Sequence, residues 1–252
     1  MSIPIYLPYY VLGGAVATIV AILIGIGLAT SKAGWSQATQ SRTMIVSSLV
    51  LIAWFAASLL LALLGAFQAH MNRLPTIQYG IFIPILIGAL LISRSSTIRQ
   101  LIDAIPQEWL VAVQAYRALG VVFLLLYASG RMPGLFAWPA GLGDFLVGVT
   151  APIIALSFSR NPQNSDLVQA WNWFGILDLV IAITTGFLSS PSPFQVLSFD
   201  FPNSLISTFP LVLIPTFLVP LSILLHIASL AKLNRTQYQK QGEQRLVTKI
   251  AS

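Results

Sequence analysis

Long apolar segments alternate with short polar ones along the whole chain, and each apolar segment is about as long as a bilayer is thick. A helix needs about 20 residues to cross the hydrocarbon core of a membrane. Seven segments approach or meet this length: 7–30, 44–66, 76–93, 109–129, 135–157, 168–188 and 208–231. The pattern predicts an all-α, polytopic membrane bundle of about seven transmembrane helices. It would form one domain over 1–232, followed by a basic tail over 233–252.

The composition indicates lipid rather than water as the solvent for this fold. Hydrophobic residues make up 56% of the 252 residues, and charged residues only 8%. A soluble domain carries about a quarter charged residues. The net charge of +6 sits mainly in the loops and the tail, where membrane topology accounts for it. We therefore expect the lipid bilayer as a partner and no nucleic acid.

The basic residues predict which way the bundle faces. With the N-terminus outside, ten lysines and arginines lie in cytoplasmic segments and two in outer ones, and cytoplasmic segments are typically the richer in both. We predict an outer N-terminus, a cytoplasmic C-terminus and the cell (inner) membrane as location, with a specialised internal membrane as the alternative. The cytoplasmic set is Lys32, Arg42, Arg94, Arg99, Arg160, Lys232, Arg235, Lys240, Arg245 and Lys249, and the outer set is Arg73 and Arg131.

Two segments between the spans have patterns of their own. Over 96–108, isoleucines and a leucine recur at helical spacing opposite Arg99, Gln100 and Asp103, which predicts an amphipathic helix on the cytoplasmic surface. The outer segment 189–207 is apolar and rich in proline. It either folds back over the bundle as a cover or rests in the headgroup region.

The seventh span contains three prolines, Pro210, Pro215 and Pro220. A proline inside a helix removes a backbone hydrogen bond and favours a kink. In a membrane, the carbonyls that lose their donors need partners from neighbouring helices or from water. We therefore expect a broken seventh helix whose free carbonyls are satisfied by side chains of the bundle.

Charged residues inside the spans are the most informative feature of the chain. Arg117, Asp144 and Asp178 lie within the fourth, fifth and sixth spans, and a lone charge at the centre of a membrane helix costs about 2.5–3.5 kcal/mol on insertion scales. We therefore expect the three to meet inside the bundle. The predicted substrate- or ion-binding set adds three polar residues. Gln114 lies near Arg117, Asn172 lies in the same span as Asp178, and His226 lies in the seventh span.

Three interpretations of this set remain open. In the first, the protein is a proton- or cation-coupled carrier of small molecules: Arg117 binds an anionic group or holds one aspartate, and the other aspartate exchanges a proton or a cation. In the second, it is a non-catalytic membrane subunit or ligand-binding protein whose buried charges only fix the packing of the helices. Both are consistent with costly intramembrane charges facing the bundle interior.

The third interpretation is an intramembrane aspartyl protease. The residues Gly141-Leu142-Gly143-Asp144 resemble the GxGD signature of that class, with Asp178 as the second carboxylate of a dyad. The resemblance covers four residues. In those families the partner aspartate precedes the signature, whereas here it follows. An adjacent arginine also favours two ionised carboxylates over a shared proton, so a non-enzymatic function is the favoured interpretation.

Cofactor and metal sites are not predicted. The chain has no cysteine and two histidines, and it contains no phosphate-binding loop, dinucleotide-binding glycine pattern or zinc spacing. The first span carries small residues at every fourth position, which allows close contact with a neighbour in the chain or in a homodimer. This stripe consists of Gly13, Ala17, Ala21 and Gly25.

The predicted orientation can be tested with single cysteines, because the chain has none of its own. We expect Asn72→Cys, in the second predicted outer segment, to react with a membrane-impermeant maleimide on intact cells. Gln163→Cys, in a predicted cytoplasmic segment, should react only after the membrane is permeabilised. The opposite pattern would show that the bundle is inserted the other way round.

Overall fold

Helices account for most of the chain and are its main regular structure. The computed structural model describes the backbone of residues 3–251 and the side chains of residues 3–239, and within these residues it contains helices and no strands. The side chains of Lys240, Arg245 and Lys249, part of the predicted basic tail, lie outside the described residues. The backbone of the last helix continues through most of that tail, to Ala251.

Seven helices are long and apolar enough to span a membrane, in the part of the chain that the structure describes. We number them spanning helices 1 to 7: Leu7–Lys32, Gln37–Leu63, Ile77–Arg94, Gln107–Ala128, Gly134–Arg160, Ser165–Ser189 and Ile214–Gln239. They overlap the seven predicted segments one to one, so the predicted fold class is confirmed. The cytoplasmic side stays a prediction, so the ends receive neutral names. The basic end holds Lys32, Arg94 and Arg160, and the loop end is opposite.

Three predicted boundaries were wrong by several residues, and one of them is the end of spanning helix 7, which lies at Gln239 rather than at 231. Spanning helix 2 begins at Gln37 rather than 44. The Ser36 side chain accepts a hydrogen bond from the Thr39 amide (3.3 Å) and caps the helix N-terminus, so the polar residues that follow Ser36 are helical too. Spanning helix 7 begins at Ile214 rather than 208. The residues before it form turns, as expected where Pro210 cannot donate to a helix.

A short helix, Ser96–Ala104, lies at the basic end between spanning helices 3 and 4. It is shorter than the predicted 96–108, since Pro106 favours an extended conformation at the preceding residue, Ile105. Its apolar side is buried at Ile102. Asp103 accepts from the Arg235 guanidinium at 2.5 Å, which ties this helix to spanning helix 7.

The segment 190–207 packs back onto the loop end of the bundle. The amides of Val196 and Leu197 both donate to the Leu188 carbonyl (3.0 and 2.9 Å), and the Asn203 amide donates to the Ser189 carbonyl (2.8 Å). Ile206 is buried in the apolar core. These contacts agree with the cover interpretation, although some of its aromatic side chains remain exposed.

Glycines allow the helices to approach closely. A Cβ atom on Gly148 would lie 2.0 Å from the Ala118 nitrogen, so spanning helices 4 and 5 touch backbone to backbone here. Gly25 lies against a side chain instead, since a Cβ atom there would lie 1.8 Å from Trp109 Nε1. One end of the small-residue stripe is thus used within the chain, whereas Gly13 and Ala17 are exposed. The homodimer stays a prediction.

Gly148→Ala should destabilise the bundle, because the new methyl group would overlap backbone that cannot move aside like a side chain. Overpacking of this kind costs about 1–3 kcal/mol, which outweighs the gain of about 1 kcal/mol from replacing glycine in a helix. Gly13→Ala is the matched control, since a Cβ there has nothing within 4 Å. Thermal unfolding in detergent should show a lower midpoint for the first variant only, and equal midpoints would contradict the backbone contact.

Candidate functional site

Arg117 lies between the two intramembrane carboxylates. Its Nε donates to Asp144 Oδ1 at 2.7 Å, and its Nη2 donates to Asp178 Oδ2. The side chain of Arg117 is 1% exposed, and those of Asp144 and Asp178 are 11% and 8% exposed. The structure therefore brings together the three charges of spanning helices 4, 5 and 6. Both aspartates contact the arginine, whereas the carrier interpretation expected one of them to lack a fixed counter-charge.

The remaining contacts of the guanidinium define the protonation state and the tautomer of His226. Arg117 Nη1 lies 3.2 Å from the Gly175 carbonyl oxygen and 3.1 Å from His226 Nε2. Because a guanidinium only donates, Nε2 must be the acceptor nitrogen of a neutral imidazole. The proton is then on Nδ1, which donates to Asn172 Oδ1 at 2.9 Å.

Polar contacts continue from His226 towards the basic end. Asn172 Nδ2 donates to Ser229 Oγ at 2.9 Å, and Gln107 Nε2 donates to the same oxygen at 2.6 Å. We call His226, Asn172, Ser229 and Gln107 the polar chain. The predicted site residues include His226 and Asn172 but neither Ser229 nor Gln107. The only signal for Gln107 was an amide close to the start of the fourth predicted span.

Gln114 is placed differently from the other predicted site residues. Its Nε2 donates to the Ser222 carbonyl at 3.0 Å, and no bond to the charged side chains is formed among the described residues. Tyr116, which sequence reasoning did not select, has its hydroxyl 2.5 Å from Ser222 Oγ and 3.1 Å from the Leu218 carbonyl. Both side chains attach spanning helix 4 to spanning helix 7.

Arg117 is carried by a stretch of 3₁₀-helix, Val113–Gly120, inside spanning helix 4. Such a stretch within a helix is uncommon and often marks a functional or strained segment. Tyr10 of spanning helix 1 donates to the Leu119 carbonyl at 2.7 Å. The altered backbone therefore has a partner from a neighbouring helix for at least one of its carbonyl groups.

Three glycines make room for the charged side chains. A Cβ on Gly120 would lie 2.3 Å from Asp144 Cβ, and one on Gly143 would lie 1.6 Å from Asp178 Oδ1. A Cβ on Gly175 would lie 2.4 Å from the His226 ring. The second glycine of the Gly-Leu-Gly-Asp sequence thus has a packing role next to Asp178.

Spanning helix 7 is irregular beside the site. Its first turn, Ile214–Leu218, is π-helical. Pro220 has no N–H to donate to the carbonyl of Thr216, and that carbonyl instead accepts from Ser58 Oγ at 3.4 Å. A neighbouring helix therefore supplies a donor, as the proline pattern of the sequence predicted.

One cavity connects the site with the loop end. Its volume is about 60 Å³, and its lining extends from the loops around Pro75 and Ser207 to Asp144. Its walls are mainly apolar and include four aromatic rings: Phe67, Phe123, Phe136 and Phe187. We call it the loop-end cavity. Asp144 is the charged residue among its lining side chains.

Two further cavities lie close to the site. The first, of about 30 Å³, lies between spanning helices 1, 4 and 7 and is lined by Tyr10, Tyr116, Arg117 and again Asp144. The second opens at the basic end, has a volume of about 300 Å³ and is lined by Gln107 and Lys232 among others. We call it the basic-end cavity. Asp144 thus faces two cavities, whereas Asp178 lines neither of them.

The described residues contain no cluster of three or more histidine, cysteine, aspartate or glutamate side chains that could hold a metal ion. The arginine between the carboxylates explains this in part. A positive guanidinium occupies the place that a cation would take between two acidic groups.

Arg117→Gln should be much more destabilising than Asp178→Asn. The first change leaves two buried carboxylates without their cation, and breaking a buried ion pair in this way costs about 3–5 kcal/mol. The second change leaves Arg117 with Asp144, a neutral pair. Thermal unfolding of both variants in detergent should give the larger loss for Arg117→Gln, and adding Asp144→Asn to it should recover part of the loss. Equal losses for the two single variants would contradict the bridging role of the arginine.

Comparison with known proteins places the chain in a family without assigning it an activity. No curated protein and no solved structure matched it. A family model described as "Domain of unknown function (DUF8737)" matches residues 74–234. This range is more than half of the chain and contains Arg117, both aspartates and the whole polar chain. The protein therefore belongs to the family of the domain of unknown function DUF8737.

Proposed function

We propose that the protein is a membrane carrier that exchanges a small organic cation for a proton at Asp144. The observation that carries this proposal is the position of Asp144. Its carboxylate keeps one oxygen on Arg117, and its side chain lines the loop-end cavity. Asp144 thus combines a fixed counter-charge with access from one end of the bundle.

The charge balance of the site favours uptake of a positive charge. Arg117 contributes one positive charge, Asp144 and Asp178 contribute two negative charges, and His226 is neutral in this hydrogen-bond arrangement. A net negative charge in a largely apolar interior is unfavourable. Binding one proton or one monovalent cation would neutralise the cluster, and the two would compete for the same carboxylate.

The walls of the loop-end cavity favour an organic cation as the competing ligand. Four phenylalanine rings line the cavity, and aromatic faces attract organic cations, quaternary ammonium groups in particular. An anionic substrate fits less well. The Nε, Nη1 and Nη2 atoms of Arg117 already contact Asp144, Gly175, His226 and Asp178, which leaves little of the guanidinium to bind an incoming anion.

The alternative functions are less consistent with this geometry. A proton-sharing protease dyad needs two carboxylates that face each other, and here the guanidinium bonds to both. A cluster that only fixes helix packing remains the competitor to the carrier. It explains the ion pairs and the glycines, but it gives no reason for the opening of a cavity onto Asp144.

Exchange can be measured in proteoliposomes that contain a pH-sensitive dye. Benzyltrimethylammonium is a suitable probe, because its permanent charge prevents it from crossing lipid as a free base. We expect its addition outside to raise the internal pH, as the cation enters and a proton leaves. Asp144→Asn should abolish the signal, since its amide cannot exchange a proton.

The matched control is Asp166→Asn, an exposed aspartate in the first turn of spanning helix 6, which should behave as the wild type. Protein-free vesicles give the background. If the wild-type protein gives no more signal than protein-free vesicles, although its cooperative unfolding shows that it is folded, the result would favour the packing function. A signal that survives Asp144→Asn would show that exchange takes place elsewhere.

A further inference from the structure

The two cavities at the ends of the bundle are separated by the polar chain. The loop-end cavity ends at Asp144, which is bonded to Arg117. The basic-end cavity ends at Gln107. Between Arg117 and Gln107, each step is a hydrogen bond between side chains, through His226, Asn172 and Ser229.

The polar chain is more than Arg117 needs for neutralisation. Two carboxylates already compensate its charge. Beyond His226, the chain adds Asn172, Ser229 and Gln107, which are 1%, 0% and 5% exposed. Polar side chains buried at membrane depth are rare and commonly mark a path for ions or protons.

One atom of the chain lacks a partner in this arrangement. Gln107 Oε1 is buried and accepts no hydrogen bond from the described residues, although Gln107 lines the basic-end cavity. A buried acceptor without a donor is unfavourable, and ordered water is the usual partner at such positions. The atom therefore points to a water molecule where the polar chain meets the cavity.

The contacts of the chain depend on the position of spanning helix 7. Ser229 and His226 belong to that helix, Gln107 to spanning helix 4 and Asn172 to spanning helix 6. A displacement of helix 7 would separate Ser229 from both of its donors. The π-helical turn Ile214–Leu218 and Pro220 lie on the loop-end side of these residues, where a helix can bend.

We propose that Gln107, Asn172, Ser229 and His226 are the closed second half of the transport path. This half fills with water from the basic-end cavity when helix 7 bends at 214–220, so that on that side the bound cation leaves Asp144 and a proton takes its place. The inference rests on the proposed carrier function and adds the route by which the site reaches the other face of the membrane. In the structure described here, a cavity reaches Asp144 from the loop end, and the polar chain occupies the path towards the basic end.

The absence of native cysteine allows a direct test with Ser229→Cys, which replaces one oxygen by sulfur. A cationic, membrane-impermeant methanethiosulfonate is added from either side during benzyltrimethylammonium exchange. We expect labelling from the basic end only. If the open state is populated at about 0.1–10%, the rate should be about 10- to 1,000-fold below that of the exposed Gln163→Cys at the same end.

Ala228→Cys is the matched control. It is the preceding residue of the same helix, 6% exposed, and packs in an apolar cluster with Ile26 and Ile102, so it should remain unlabelled. Asn172→Cys gives a second position in the polar chain if Ser229→Cys does not fold. Labelling of the chain positions no faster than Ala228→Cys, or labelling from the loop end, would overturn the proposed path.

The two proposals fail in different ways. If the vesicles exchange cation for proton through Asp144 but the chain positions are never labelled, the carrier function stands and the path is wrong. If the chain positions are labelled from the basic end but no exchange takes place, water enters along the path and the carrier function is wrong.

Discussion

The bundle depends on one interaction, the contact of Arg117 with two carboxylates from two other helices. An isolated charge inside a membrane is costly. Removing one partner of a buried ion pair therefore destabilises a protein more than replacing both partners by apolar residues. Spanning helices 4, 5 and 6 are therefore held together at this point. The other features of the core adapt to it: Gly120, Gly143 and Gly175 leave space for the charged groups, and Gly148 lets the backbones approach.

The two sides of this contact differ in chemistry. Towards the loop end, the surroundings of Asp144 are aromatic and apolar, and a cavity reaches it. Towards the basic end, His226 begins a series of hydrogen-bonded amides and a hydroxyl, which ends at Gln107. Asp178 lies away from the two cavities that Asp144 lines, so two aspartates on one arginine are not equivalent. Asp144 lines two cavities and Asp178 lines neither of them, although both aspartates bond the guanidinium.

Much of the architecture follows from the sequence because lipid imposes strong constraints. Segment length and hydropathy are sufficient to identify seven spans, and the cost of intramembrane charge is sufficient to expect Arg117, Asp144 and Asp178 in contact. The seventh span is less predictable: its apolar residues continue through 208–213, but Pro210 prevents a helix there. The packing role of Gly143 could likewise not be predicted, because the sequence Gly-Leu-Gly-Asp that contains it resembles a catalytic signature.

The roles of uncharged polar residues could not be predicted in the same way. A glutamine at a helix end, such as Gln107, is common at membrane surfaces, and only its three-dimensional neighbours show that it is buried. Tyr116 could equally have been an interfacial aromatic residue. The change to 3₁₀ geometry at Val113–Gly120 also has no local sequence signal. The stretch bonds to helices that are distant in the chain, and the sequence alone does not show these contacts.

This 3₁₀ stretch has a mechanical consequence. The rise is about 2.0 Å per residue in a 3₁₀-helix and about 1.5 Å in an α-helix, so eight residues are about 4 Å longer than they would be as α-helix. Rewinding the stretch would shorten spanning helix 4 by that amount and rotate Arg117 about the helix axis. The ion pairs with two other helices prevent this as long as both are formed. Neutralising one carboxylate would weaken that restraint, so binding of a single proton could be converted into a change in the length of a helix.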